Sequence, residues 1–190
     1  MRRVGGILVG GQATRLGAIP KGNLRLGGKT LLERTINLLA PFCDDVLLLG
    51  HRTAYDYLGL KTIDDRIGQG GPVTGIASAL ALTQSDLLVT PCDLPFLTSD
   101  VLARLINHEL RVPTACRGPQ RTHPLIAHYP SNAVAVVAEC AEHQQSAHQA
   151  FKACCGEWVD FRDERPFMNV NTEADWVEAR RVYQLLAQDV

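Results

Sequence analysis

Lysine is scarce in this chain, four residues of 190 against fifteen arginines. Each lysine is therefore worth locating. Neither sign of charge dominates, because 19 basic and 20 acidic side chains leave a formal charge of −1. That balance excludes a protein held to nucleic acid mainly by net positive charge. Long apolar runs are also missing, and none approaches the roughly 18 residues of a membrane span. Met1-Arg2-Arg3-Val4 leads into a stretch broken by Gly5, Gly6, Gly10 and Gly11, which is no signal-peptide core, so a cytoplasmic protein is expected. Six cysteines (Cys43, Cys92, Cys116, Cys140, Cys154, Cys155) include no C-x-x-C pair and no metal-site spacing. Reduced thiols, mostly buried, are the expected state.

What is present is ordinary globular material, with 46% hydrophobic and 21% charged residues. A chain of this size buries about 70% of the surface its unfolded form exposes, so one core needs no staple. Residues 1–190 read as one domain without repeats, linkers or low-complexity tracts. The stretches 4–9, 45–49, 60–63 and 86–90 are short apolar runs closed by turn residues, the pattern of buried strands. Between them, Leu24 and Leu26 alternate with Arg25 before Gly27-Gly28, a hairpin signal. Thr30-Leu31-Leu32-Glu33 is a capping box that starts a helix to about Leu39. Pro72 opens a helix to about Leu82, and Thr98 caps one to about Glu109. Apolar strands alternating with helices predict an α/β fold, a mostly parallel sheet covered on both faces. The second half is less regular. Strands are expected at 114–116, 125–128, 158–161 and 167–170, helices at 132–140 and 146–154, and a last helix capped by Thr172 and ending near Ala187.

Four groups of residues could carry chemistry. Gly10-Gly11-Gln12-Ala13-Thr14-Arg15-Leu16-Gly17, leading to Pro20-Lys21, follows a buried strand. Glycines there let backbone N–H groups approach phosphate oxygens, with Arg15 and Lys21 supplying neutralising charge. On spacing alone, a solvated turn is an equal alternative. Neither a G-x-G-x-x-G fingerprint nor a Walker pattern is spelled, since Asn23 stands where the latter needs glycine before Gly28-Lys29-Thr30. Asp93, in Pro91-Cys92-Asp93-Leu94-Pro95, follows the 86–90 strand. Ligands of open α/β sheets bind beyond the carboxyl ends of strands, and a carboxylate there suits magnesium, which takes one or two protein carboxylates plus substrate phosphates. Asp64-Asp65 closes the 60–63 strand. A carboxylate can accept from the guanine N1–H and amine, and a surface turn is the plainer role. Asn169 and Asn171 precede the last helix; an asparagine carbonyl can complete a magnesium shell or simply form a turn. Arg121 and His123 fall in a polar loop and could meet an anionic substrate.

Together and in this order, these pieces resemble one family. Leu8-Val9-Gly10-Gly11 with Arg15, Leu16, Gly17, Pro20 and Lys21 looks like the signature of the glycosyltransferase-A-like nucleotidyltransferases. Gly71-Pro72-Val73-Thr74-Gly75, Pro91-Cys92-Asp93-Leu94-Pro95, His123-Pro124 and Asn169-Val170-Asn171-Thr172 narrow the resemblance to the molybdenum cofactor guanylyltransferases of MobA type.

The resemblance implies a Rossmann-like sheet of the nucleotide-diphospho-sugar transferase type. Nucleotide binding would occupy about 1–110 and acceptor binding about 111–190. It implies that Leu8, Val9, Gly10, Gly11, Lys21, Asp65 and Asp93 bind GTP, that Asp93 holds Mg2+, and that Arg15, Lys21 and Asp93 serve transfer. Arg121, His123, Asn169 and Asn171 would face the acceptor, molybdopterin, and proteins that deliver cofactor to molybdoenzymes are the implied partners. Val9 stands where the family usually has alanine, which puts a larger side chain beside the base. Alternatives are a cytidylyltransferase on the same pterin, a sugar-phosphate nucleotidylyltransferase, and a non-catalytic nucleotide-binding module.

Overall fold

The computed structural model describes residues 2–9, 19–50, 53–64, 70–106 and 111–188. Seven strands form one sheet in the order β5-β4-β1-β6-β8-β7-β9. These are β1 (Arg3–Leu8), β4 (Asp45–Leu49), β5 (Thr62–Ile63), β6 (Asp86–Pro91), β7 (Thr114–Arg117), β8 (Thr122–Tyr129) and β9 (Glu157–Asp160). β1 pairs in parallel with both β4 and β6, and β7 with β9, whereas β8 runs antiparallel to both β6 and β7. The sheet is thus mostly parallel, as the unalternating apolar strands predict. Successive strand residues serve opposite faces. Leu47, Leu49, Leu87 and Val89 pack with α2 (Pro72–Thr83), α4 (Val134–Glu142) and α5 (Ala147–Ala153). Ile7, Leu48 and Leu88 pack with α1 (Leu31–Leu39) and α3 (Ser99–Ile106).

Local signals account for the element ends. The hairpin β2 (Arg25–Leu26) and β3 (Lys29–Thr30) turns through Gly27 and Gly28, both at positive φ (57° and 83°), as a two-residue turn of primed type requires. Gly27 also lies under the last helix, because a Cβ there would stand 1.9 Å from the Tyr183 hydroxyl. Thr30 and Glu33 form the capping box of α1, with Glu33 accepting from Thr30 N–H at 2.7 Å.

Three expectations need correction. His123 lies inside β8 rather than in a loop. There the β7–β8 register jumps from Ala115↔Ala127 to Cys116↔His123, an irregularity that accommodates Pro124, which has no N–H to offer the ladder. Residues 167–170 form no strand. Phe167 ends a 3-10 turn containing Pro166, and Val170 N–H donates to the Asp93 carbonyl (2.9 Å) instead of to a neighbouring strand. The 60–63 strand shortens to Thr62–Ile63.

A third, smaller hydrophobic cluster bears on the site. Leu24, Leu26, Leu31, Val170 and Ala179 are buried together, flanked by Phe96, Met168, Trp176 and Tyr183. It ties the segment after Lys21, the segment before Asn171 and α6 (Glu173–Gln188) into one unit. Lys21 and Asn171, 150 positions apart in sequence, are brought together by burial of their apolar neighbours.

Candidate active site

The strand order changes direction between β1 and β6, and in open α/β sheets a crevice forms at such a point beyond the carboxyl ends. β1 delivers Leu8 and Val9 to that edge. β6 delivers the turn with Asp93, and Cys92 N–H donates to the Leu8 carbonyl at 3.3 Å. Leu8 is half-buried. Val9 is 3% exposed and packs with the α1–α3 layer, so its side chain points into the core and not toward a ligand. The extra bulk relative to alanine is absorbed by packing.

Lys21 opens a 3-10 turn (Lys21–Asn23) directly after Pro20. Its backbone is fixed on both sides: Leu24 N–H donates to the Lys21 carbonyl (3.1 Å), and Gly22 N–H donates to the Tyr55 hydroxyl (3.2 Å). From that base the ammonium reaches the Asp93 carboxylate at 3.3 Å and the Asn171 side-chain carbonyl at 2.5 Å. The Lys21 and Asp93 side chains are 22% and 17% exposed, so the pair is largely but not wholly withdrawn from water. Burial pushes the Asp93 carboxyl above its ordinary range, and the adjacent Lys21 ammonium opposes that shift.

Asn171 is held in turn. The Asp175 carboxylate accepts from Asn171 N–H (2.9 Å) and Thr172 N–H (2.8 Å), while the Thr172 hydroxyl accepts from Asp175 N–H (3.2 Å). Burial alone would raise the Asp175 carboxyl, but these two backbone donors and the nearby Lys21 charge hold it below the usual carboxylate range. Asn169 is half-buried on the same segment. Among the described residues, Asn171 and not Asn169 meets the ammonium.

Arg121 and His123 form a second cluster around a residue that carried no sequence signal of its own. Glu164 Oε1 lies 3.5 Å from Arg121 and 3.3 Å from His123, and Glu164 Oε2 accepts from Gln120 N–H at 3.2 Å. His123 stacks on Phe167 at 4.5 Å between ring centroids. Burial lowers its imidazole below the ordinary value, with Glu164 acting in the opposite direction. The antiparallel run of β8 puts this cluster at the same end of the sheet as Asp93. Sequence reading missed Glu164 because it sits in Arg162-Asp163-Glu164-Arg165, a charged stretch that reads as solvated surface. Arg15, Gly10, Gly11 and Asp65 lie outside the described residues.

The donor set at Asp93 is one carboxylate beside one amide carbonyl. Among the described residues no three His, Cys, Asp or Glu side chains gather into a metal cage. That composition suits a hard cation that takes most of its ligands from substrate and water. α2 begins at Pro72, after Gly70 and Gly71, both at positive φ, and Gly71 brings no side-chain cap.

The chain matches the MobA-like NTP transferase domain over residues 5–157. The chain belongs to that family. A molybdenum cofactor guanylyltransferase from Shewanella sp. (strain MR-4) is 40% identical over 104 residues, 53% of each chain, so the match spans about half the length of such curated relatives. The molybdopterin-guanine dinucleotide biosynthesis protein A of Archaeoglobus fulgidus shares the fold at a TM-score of 0.76 and 20% identity, covering 94% of this chain and 97% of the other. The 4-diphosphocytidyl-2C-methyl-D-erythritol synthase of Anaerococcus prevotii shares it at 0.73 and 12% identity, covering 96% and 98%. The MobA-like fold thus also serves proteins named for cytidylyl products, and base choice has to be argued from individual residues. No helix among the described residues is long and apolar enough to cross a membrane.

Proposed function

We propose that this MobA-like domain transfers GMP from GTP to the terminal phosphate of molybdenum-molybdopterin, giving the molybdopterin guanine dinucleotide cofactor and releasing pyrophosphate. The observation that carries the reading is the Lys21 ammonium held between Asp93 and Asn171 beyond β1 and β6. A phosphate oxygen of the acceptor forms a bond to the α-phosphorus of GTP as the bond from that phosphorus to the β-phosphate bridging oxygen breaks. A phosphate monoester is already anionic near neutral pH, so this step needs no general base. The residues contribute position and charge. Lys21, and Arg15 before it in sequence, meet phosphate oxygens, and exchange of Lys21 from Asp93 to phosphate frees the carboxylate. Asp93, with the Asn171 carbonyl, would hold Mg2+, which supplies charge neutralisation at the phosphates when bound.

The nucleotide lies over residues 1–110, with the backbone of Leu8 to Gly11 beneath it and Asp65 accepting from the guanine N1–H and amine. The acceptor lies over 111–190, with Arg121, His123 and Asn169 facing its anionic end. The protein acts in the cytoplasm, and its product passes to proteins that load molybdoenzymes. The 40% identity to the Shewanella guanylyltransferase favours guanine over the cytidylyl and sugar-phosphate alternatives. A direct test incubates the purified protein with molybdenum-molybdopterin, Mg2+ and each of GTP, CTP, ATP and UTP, and follows pyrophosphate and the dinucleotide. The reading expects product with GTP. Product with CTP alone replaces the base assignment, and binding without turnover makes the chain a nucleotide-binding module.

A further inference from the structure

Among the described residues three helices begin with a reciprocal cap, and the third differs from the other two. At α1, Glu33 accepts from the N–H of the capping Thr30, and at α5, Gln149 accepts from that of Ser146. Each satisfies one backbone donor at its cap residue. At α6, one oxygen of Asp175 accepts from the cap residue Thr172 and from Asn171, the residue before it. The additional bond is not needed to start a helix. It falls on the residue whose side chain holds Lys21, and on its other side Val170 is buried and bonded to the Asp93 carbonyl. Asn171 therefore has its backbone fixed from both directions while its carbonyl points at the ammonium.

We propose that Asp175 is a positioning residue which, through Asn171, sets the Lys21 ammonium against Asp93. Its consequence for nucleotide rests on the proposed role of Lys21 as a phosphate contact, whereas the positioning itself does not. Asp175 touches neither Lys21 nor Asp93 by hydrogen bond, so its positioning effect passes through the 171 peptide, beside a direct attraction between its carboxylate and the Lys21 charge.

Two matched variants separate positioning from capping. Asp175→Ala removes the acceptor for both N–H groups, and Thr172→Ala removes the hydroxyl half of the same cap without freeing Asn171 N–H. The chain has only four lysines, Lys21, Lys29, Lys61 and Lys152, so carbon-13 labelling of lysine gives four resolvable side-chain signals. In nucleotide-free protein, Asp175→Ala is expected to move the Lys21 signal and leave the other three in place, whereas Thr172→Ala leaves all four. Calorimetric titration with GTP should show Asp175→Ala binding about 3- to 10-fold more weakly, in the range of coupling between neighbouring residues. Thr172→Ala should stay within about twofold, the scatter allowed to uncoupled sites. In a Lys21→Met background, Asp175→Ala should add no further loss. If Asp175→Ala does not fold, Asp175→Glu, which keeps the charge beside Lys21 and displaces the acceptor, still moves the Lys21 signal. An unmoved Lys21 signal, an equal shift in Thr172→Ala, or losses that simply add in the double variant overturn the proposal. A moved Lys21 signal with GTP affinity unchanged in both Asp175→Ala and Lys21→Met leaves the positioning intact and overturns the phosphate role of Lys21.

Discussion

Replacing Lys21 by methionine keeps the length of the side chain and removes its charge, and the structure sets two separate magnitudes for the result. The first is stability. At 3.3 Å and an effective dielectric of about 20, the attraction between Lys21 and Asp93 is about 5 kcal/mol before desolvation. Both groups give up hydration to make it. Breaking fully buried pairs costs about 3–5 kcal/mol and surface pairs are worth at most about 1, so a pair 22% and 17% exposed should fall near 2 kcal/mol. For a chain of this size that is a fall in Tm of about 4–8 °C. The second magnitude is affinity. A hydrogen bond to a charged group is worth about 1.5–3 kcal/mol, or roughly 10- to 150-fold in Kd. Lys21 already has two partners in the free protein, so moving to phosphate exchanges bonds rather than adding them, which selects the low end, about tenfold. The rate of transfer should fall further than affinity if the ammonium follows the charge that develops on the departing pyrophosphate. Urea unfolding, titration with GTP and single-turnover transfer measure the three quantities on one preparation. A variant destabilised by about 2 kcal/mol that binds and turns over GTP like the wild type would show Lys21 to be a strut between two loops, and the reasoning about phosphate would be wrong.

Asp93→Asn preserves volume while removing the hard anion, so transfer should fall by about 100-fold or more and lose its response to Mg2+ concentration; wild-type turnover would remove Asp93 from the site. Asp65→Ala and Gly11→Ala should each cost GTP more than CTP, the first by leaving guanine donors unpaired and the second by adding a methyl group under the purine. Equal losses for the two nucleotides in a competition assay would overturn the guanine assignment. Acid should destabilise the fold from an early point. Burial lowers the imidazoles of His123 and His128, so below the ordinary value of 6.5 the unfolded chain binds protons that the folded one does not. Stability is therefore full above about pH 6.5 and declines as pH falls through that value toward the folded pKa values. Urea midpoints that stay flat between pH 7.5 and 5.5 would refute this.

The parts of the fold written in local patterns were legible. The capping box at Thr30, the glycine turn at 27–28 and the apolar strands each depend on residues within a few positions of one another, and each appears in the structure. The register of β8 was not legible, because Pro124 and the polar residues beside it signal a loop locally while pairing to β7 and β6 makes them a strand. Residues 167–170 failed in the opposite direction. Their apolar character suggested a strand, but Val170 is buried against Leu24, Leu31 and Ala179, and its N–H goes to Asp93 rather than to a ladder.

The site divides along the same line. Lys21, Asp93 and Asn171 stand out in sequence as chemical types next to turn residues, yet nothing in their spacing says that one ammonium joins the other two. That fact resides in the small cluster around Val170, whose members are ordinary leucines, a valine and an alanine. Glu164 and Asp175 were invisible for a related reason. An acid among charges, or at the third position of a helix, has a sufficient local explanation, and only the fold reveals that the first gathers Arg121 and His123 and the second reaches past its cap to Asn171. Groups that present themselves to a ligand carry a sequence signature because their chemistry is demanding. Groups that aim them need only a hydrogen-bond acceptor in the right place, a requirement many side chains meet. The aiming groups are therefore found by following the bonds outward from the ammonium, and in this chain that path runs from Lys21 to Asn171 to Asp175.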